Sequence, residues 1–221
     1  MNEKEIWQKL RGMGYSEVAT AALMGNMKAE SDCVPNRIEG DFSKGYPKSE
    51  AYTSQVDAGI KSKNEFMKDS IGYGLCQWTF YTRKAGLYDL ALNEGKSIGD
   101  LDLQLKFLNQ ELRSGEFNSV FKVLATSDSL RECSDIVCLR FECPYDSSDG
   151  VLSLRASYAR EFYDQFAGTD FSSGGSGGNY NSGNSSVQDD GDDIPFCCDG
   201  DCFIKELFID IMNLIEEKIN D

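Results

Sequence analysis

"GNMKAESDCVP", residues 25–35, closes the segment on which the fold turns. Upstream, Ser16 is placed to cap a helix that reads "EVATAALMGNMKAE". Leu23, Met27 and Glu30 follow at i, i+4 and i+7, so they share one stripe of that helix. The carboxylate therefore falls on the apolar side, in the last turn. Partial burial and the negative end of the helix dipole both disfavour its charged form there, and both push its pKa upward. A carboxyl that keeps its proton near neutral pH can protonate a leaving oxygen. A structural Glu paired with a Lys or Arg fits the same pattern.

Outward from this helix the first 168 residues read as mainly α. "NEKEIWQKLRGMG" is a helix stopped by Gly12 and Gly14. A polar loop runs from Asp32 to about Ser49. "SEAYTSQVDAGIKSKNEFMKD" reads as a weaker helical stretch that Gly59 interrupts. "IGYGLCQWT" is a turn or short extended element before the helix "YTRKAGLYDLALNEG". "DLDLQLKFLNQELRS", "EFNSVFKVLATS", "SLRECSDIVCLRFECP" and "LRASYAREFYDQFAG" read as four more helices. The expected organisation is a helical domain over 1–168, a flexible Gly/Ser/Asn/Asp linker over 169–195, and an acidic, Cys-containing segment over 196–221. That last segment carries an amphipathic helix with Phe203, Leu207, Ile211 and Leu214 on one stripe.

Composition excludes several functions. With 40% apolar and 11% aromatic residues, the chain has enough to build a core, yet no apolar run reaches the ~18 residues of a membrane helix. The net charge is −15, and residues 169–221 hold 12 acidic against 2 basic side chains. That sign opposes nucleic acid and anionic lipid alike. With no His, an imidazole base, a His-based triad and most zinc enzyme sites are excluded. Cys33, Cys76, Cys133, Cys138 and Cys143 read as buried free thiols, and "CCDGDC" (197–202) as a disulfide or metal candidate without a partner cluster. No cofactor or metal is expected in the site. The N-terminus lacks the apolar region of a signal peptide, so a protein made in the cytoplasm is expected.

Glu30–Ser31, followed some 40 residues later by Gly74-Leu75-Cys76-Gln77, resembles the phage tail lysozyme family. That family shares its fold with goose-type lysozymes and lytic transglycosylases. "QLKFLNQEL" and "RFECP…RASYAREFYDQF" resemble the family's later helices, and the resemblance spans about residues 4–168. It implies a lysozyme-like domain with a small irregular or β lobe. Glu30 would be the catalytic acid on the β-1,4 glycan of peptidoglycan, between N-acetylmuramic acid and N-acetylglucosamine. Ser31, Gly74 and Gln77 would line the cleft, and the usual setting is a tail tip acting on the cell wall, in the virion or after release.

The residues themselves suit such a role. Gly72 and Gly74 let backbone approach a ligand, and the Gln77 amide offers a donor and an acceptor to a sugar. Tyr73, Trp78 and Tyr81 offer flat faces for pyranose rings or pack in the core; Trp7 reads as core. A second carboxylate is not singled out by spacing. Asp57 and Asp69 lie in the stretches most like the family, Glu39 and Asp41 are further candidates, and Glu142 reads as a structural partner of Arg155. Hydrolysis and transglycosylation both stay open, because a transglycosylase needs one Glu only. A non-enzymatic glycan-binding or structural tail module with the same groove is the alternative. The C-terminal helix is expected to dock on the helical domain, on other tail proteins or on a second copy.

Overall fold

The Ser16 hydroxyl accepts a hydrogen bond from the Ala19 N–H at 3.1 Å, and the central helix starts from that cap. In the computed structural model, which describes residues 3–169, helix α1 (Glu3–Gly12) leads into this α2 (Glu17–Ser31). Every residue from Ala19 to Met27 is buried, so α2 is wrapped on all sides. Its main neighbours are α8 (Leu130–Val137) and α9 (Asp149–Phe166), with α1 along another flank. Between them in the chain lie α3 (Pro47–Asp57), α4 (Lys63–Lys68), α5 (Tyr81–Glu94), α6 (Leu101–Leu112) and α7 (Asn118–Thr126).

Small residues set how closely α2 meets α9. A Cβ at Gly25 would lie 2.6 Å from the Ala159 nitrogen, 2.7 Å from the Arg155 carbonyl oxygen and 2.8 Å from the Ala159 Cβ. Two of these are backbone atoms and the third is a Cβ, so none can swing aside. Gly25→Ala is therefore expected to push the two helices apart and cost about 1–3 kcal/mol, as overpacking does. A melting temperature lowered by several degrees would register it, and an unchanged or raised one would show that the contact can relax. The same close approach carries Arg155 to the end of α2.

The end of α2 is sharper than Pro35 alone would make it. Asp32 and Cys33 both adopt left-handed backbone (φ 57° and 58°), and their N–H groups bond back to the Lys28 and Met27 carbonyls. Two successive non-glycine residues in this region are uncommon, and they stop the helix right after Glu30–Ser31.

The small lobe is irregular, as expected. Its β content among the described residues is two isolated antiparallel bridges, Ile38 with Tyr73 and Tyr73 with Trp78. The stretch around Gly59 breaks as its sequence suggests: α3 ends at Asp57, Gly59 takes φ 69°, and Ser62 with Glu65 forms a capping box for α4. One helix differs from expectation. "SLRECSDIVCLRFECP" is α-helical only to Val137, then widens into a π turn over Cys138–Glu142. The Cys143 N–H closes it on the Cys138 carbonyl at 2.9 Å, five residues back. Pro144 disfavours helical backbone at Cys143, which turns left-handed at φ 46°. Among the described residues no helix is long and apolar enough to cross a membrane. From residue 170 onward, the expected linker and C-terminal helix lie outside the described residues.

Candidate active site

The Ser31 hydroxyl fastens the two segments that the sequence singles out. It is fully buried and lies 3.0 Å from the Met27 carbonyl of its own helix and 3.0 Å from the Leu75 carbonyl. Glu30 is thereby held next to Gly74-Leu75-Cys76-Gln77. A second tie comes from Gln104 on α6. Its Oε1 accepts the Leu75 N–H at 2.9 Å, while its Nε2 donates to the Pro35 and Ile98 carbonyls. Gln104 is fully buried, and its amide is satisfied at both ends. Sequence reading overlooks it, although a Gln on the same stripe as Leu101 and Leu108 is a visible irregularity.

Glu30 itself is 18% exposed and forms an ion pair with Arg155 at 2.6 Å. The other guanidinium nitrogen reaches Asn26 Oδ1 at 3.1 Å, and Asn26 in turn donates to the Ala22 and Ser134 carbonyls. Arg155 Nε is buried without a hydrogen-bond partner among the described residues. Arg155 thus serves Glu30, and the expected Arg155–Glu142 pair is not formed.

A second guanidinium pair stands beside Trp78. Arg83 binds Glu111 in a fork, Nε to Oε1 at 2.7 Å and Nη2 to Oε2 at 2.9 Å. The same Glu111 Oε2 accepts the Trp78 indole N–H at 2.8 Å. Arg83 Nη1 donates to the Phe141 carbonyl at 3.2 Å, and its guanidinium lies over the Phe141 ring. That bond locates the π turn and with it Glu142. Burial first, then the negative charge of Glu30, pushes the Glu142 carboxyl well above the usual carboxylate range. Glu111 adds to the effect, and Arg83 and Arg155 oppose it. Cys76 is buried among these charges; burial and then the Glu142 charge push its thiol well up.

The remaining sequence candidates have other duties. Tyr73 and Trp78 are fully buried. Tyr73 packs on Tyr52 and Phe66 with ring centroids 5.6 and 5.7 Å away, and Trp78 on Phe107 at 5.4 Å. Neither presents a face to a sugar. Tyr81 is 51% exposed, with its ring 4.7 Å from that of Phe80. A Cβ at Gly72 would meet Gln77 Oε1 at 2.9 Å, and one at Gly74 (φ 79°) would meet the Gln104 amide at 2.6 Å. Both glycines make room for a protein side chain rather than a ligand. Gln77 donates its amide N–H groups to the Gly74 and Arg37 carbonyls, and its Oε1 faces Gly72.

Four carboxylates offered as a second acid or base are tied up as acceptors. Asp57 takes the Ser97 hydroxyl at 2.5 Å and the Ile98 N–H at 3.0 Å. Asp69 takes Lys84, Tyr52, Lys61 and the Ile71 N–H, at 2.5 to 3.1 Å. Burial opposes the Asp69 charge, but these donors outweigh it and hold the carboxyl below its ordinary value. Asp41 is buried and caps Ser49 and Ser43. Glu39 is pinned to Gly72 through both its backbone and its carboxylate. Cys33, Cys76, Cys133 and Cys138 are free thiols, and all four are buried.

The sequence pattern of the phage tail lysozyme family matches residues 1–166, so the chain belongs to that family. Comparison with the curated proteins gave no match.

Proposed function

We propose, from this membership in the phage tail lysozyme family, that the chain cleaves the β-1,4 bond between N-acetylmuramic acid and N-acetylglucosamine with Glu30 as general acid. Family membership supports a peptidoglycan-degrading, lysozyme-like role. The observation that carries the finer reading is the setting of Glu30. It closes the central helix, stays partly open, and is fixed by Ser31 and Arg155 against the Leu75–Gln77 wall. Glu30 gives a proton to the glycosidic oxygen as the bond to the anomeric carbon breaks. The Leu75–Gln77 wall and the exposed Tyr81 ring receive the sugar. No cofactor takes part. The protein reaches the wall in the virion or after release.

One observation favours a second reading. The Glu30–Arg155 pair is the geometry of a structural ion pair, and a glycan-binding tail module would keep it without catalysis. Purified cell walls separate the two. Falling turbidity with release of muropeptides supports the enzyme, and intact walls that retain the protein support the binding module. Mass spectrometry of the products then distinguishes the chemistries: a reducing end marks hydrolysis, and a 1,6-anhydro end marks transglycosylation.

A further inference from the structure

The loop over residues 32–46 joins α2 to α3 with no helix of its own. Loops this long inside a compact domain usually carry function. This one is built around a buried carboxylate. Asp41 is 1% exposed and accepts the Ser43 N–H at 3.3 Å, the Ser49 N–H at 2.9 Å and the Ser49 hydroxyl at 2.8 Å. The next residue, Phe42, is 84% exposed. The Arg37 guanidinium lies 4.8 Å from the Tyr46 ring centre and 5.8 Å from that of Phe42. Two ties join this shelf to the candidate site. The Arg37 carbonyl accepts the Gly74 N–H at 2.8 Å and a Gln77 amide N–H at 3.2 Å. The Tyr46 hydroxyl donates to Asp32 at 3.2 Å, just past Glu30–Ser31. The carboxylates of the loop are all engaged: Asp32 by Tyr46 and Lys28, Glu39 by Gly72, Asp41 by the two serines. The Arg37 guanidinium forms no hydrogen bond or ion pair among the described residues, although its charge acts on Asp32.

We propose that Arg37, flanked by Tyr46 and Phe42, is a subsite for a free carboxylate of the peptide stem carried by N-acetylmuramic acid. This rests on the reading of the chain as a peptidoglycan-cleaving enzyme. A guanidinium beside aromatic rings is held without using its N–H donors, and their fork matches a carboxylate. The sugars of the glycan are uncharged apart from the muramic lactyl group, and that group is joined to the stem. An anion from this substrate therefore comes from the stem. Each stem residue adds about 3.3–3.6 Å of reach, so a stem leaving the Gly74–Gln77 wall extends onto the loop bonded to that wall. The Phe42 ring covers the apolar part of the stem, and the loop held by Asp41 meets it without first having to become ordered. Arg37 thus selects stem-bearing glycan over bare glycan and takes no part in breaking the bond.

The test uses soluble glycan fragments in three forms: with stems, with the stem carboxylates converted to amides, and with the stems removed. Wild type, Arg37→Met, Arg37→Lys and Phe42→Ala are compared for kcat and KM. Met keeps apolar length over the rings but removes the charge. The ratio of kcat/KM on stem-bearing to stem-free glycan is expected to fall about tenfold in Arg37→Met, the strength of one charge-assisted hydrogen bond. The fall should lie in KM, with partial rescue by Lys and a smaller loss in Phe42→Ala. Amide stems should cost wild type the same factor and Arg37→Met nothing further. An unchanged ratio, or an equal loss on all three forms, would overturn the proposal. If the Arg37 variants fail to fold, the amide fragments on wild type decide alone. Wild-type protein that cleaves none of the fragments defeats the enzyme reading instead. Calorimetric binding then judges the subsite: tighter binding of the free-carboxylate form supports it, and equal or absent binding overturns it.

Discussion

Glu30→Gln is expected to cut glycan cleavage by roughly two to four orders of magnitude, the scale of a lost general acid. Gln keeps the size and one acceptor oxygen, so glycan binding should persist. The sequence alone suggests that folding would be unharmed or improved, since a strained charge is removed. The structure reverses that expectation. Arg155 is only 6% exposed and donates to Glu30 at 2.6 Å, so the neutral amide leaves a buried guanidinium without its counter-charge. A stability loss of about 1–3 kcal/mol is expected, softened because the Gln oxygen still accepts a hydrogen bond. Wall lysis and thermal melting on the two proteins test both halves. A variant that melts lower but lyses walls at the wild-type rate would leave Glu30 with a structural role only.

Glu142 gives stability a pH signature. The Glu142 carboxyl is raised by burial and by Glu30, so the folded state holds its proton where an unfolded chain has released it. Above an unfolded value of about 4.3, the unfolded state gains by ionising and the folded state does not. Stability from this group is therefore complete at acid pH and lost as pH rises through the raised value. Glu142→Gln, neutral in both states, should melt close to wild type at low pH and gain on it as the solution becomes alkaline. A constant difference across pH would mean that Glu142 does not change its charge on unfolding.

The sequence makes some of this legible and hides the rest for physical reasons. Ser16, the α2 stripe and the break at Gly59 are local features, written within a few residues. The pairing of Glu30–Ser31 with the Gly74–Gln77 segment is legible only through the family resemblance. Which partner neutralises Glu30 is not local at all: Arg155 lies 125 positions away, and two helices meeting at Gly25 bring it there. The same limit explains the aromatics. Tyr73 and Trp78 flank permissive glycines and look available, yet Tyr52, Phe66, Phe107 and Glu111 from distant segments close over them. Glu142 reads as a partner of Arg155 because helical periodicity runs on through "DIVCLRFE", and a π turn leaves no mark on that pattern.

Glu111→Leu is expected to be among the most damaging single changes to the fold, costing about 3–5 kcal/mol of a total near 5–15. It removes both acceptors of the Arg83 fork, buried at 14% and 10% side-chain exposure, and the partner of the Trp78 indole. Arg83 would be left charged and enclosed between Phe117 and Phe141. Arg83→Met should cost a similar amount, because Glu111 then stays buried without its cation. The double variant replaces charge with apolar volume on both sides and should recover much of the loss. Recovery stays incomplete, since the Trp78 N–H and the Phe141 carbonyl still lack their partners. Urea unfolding of the four proteins gives the coupling directly, and strictly additive losses would show that the pair contributes nothing as a pair.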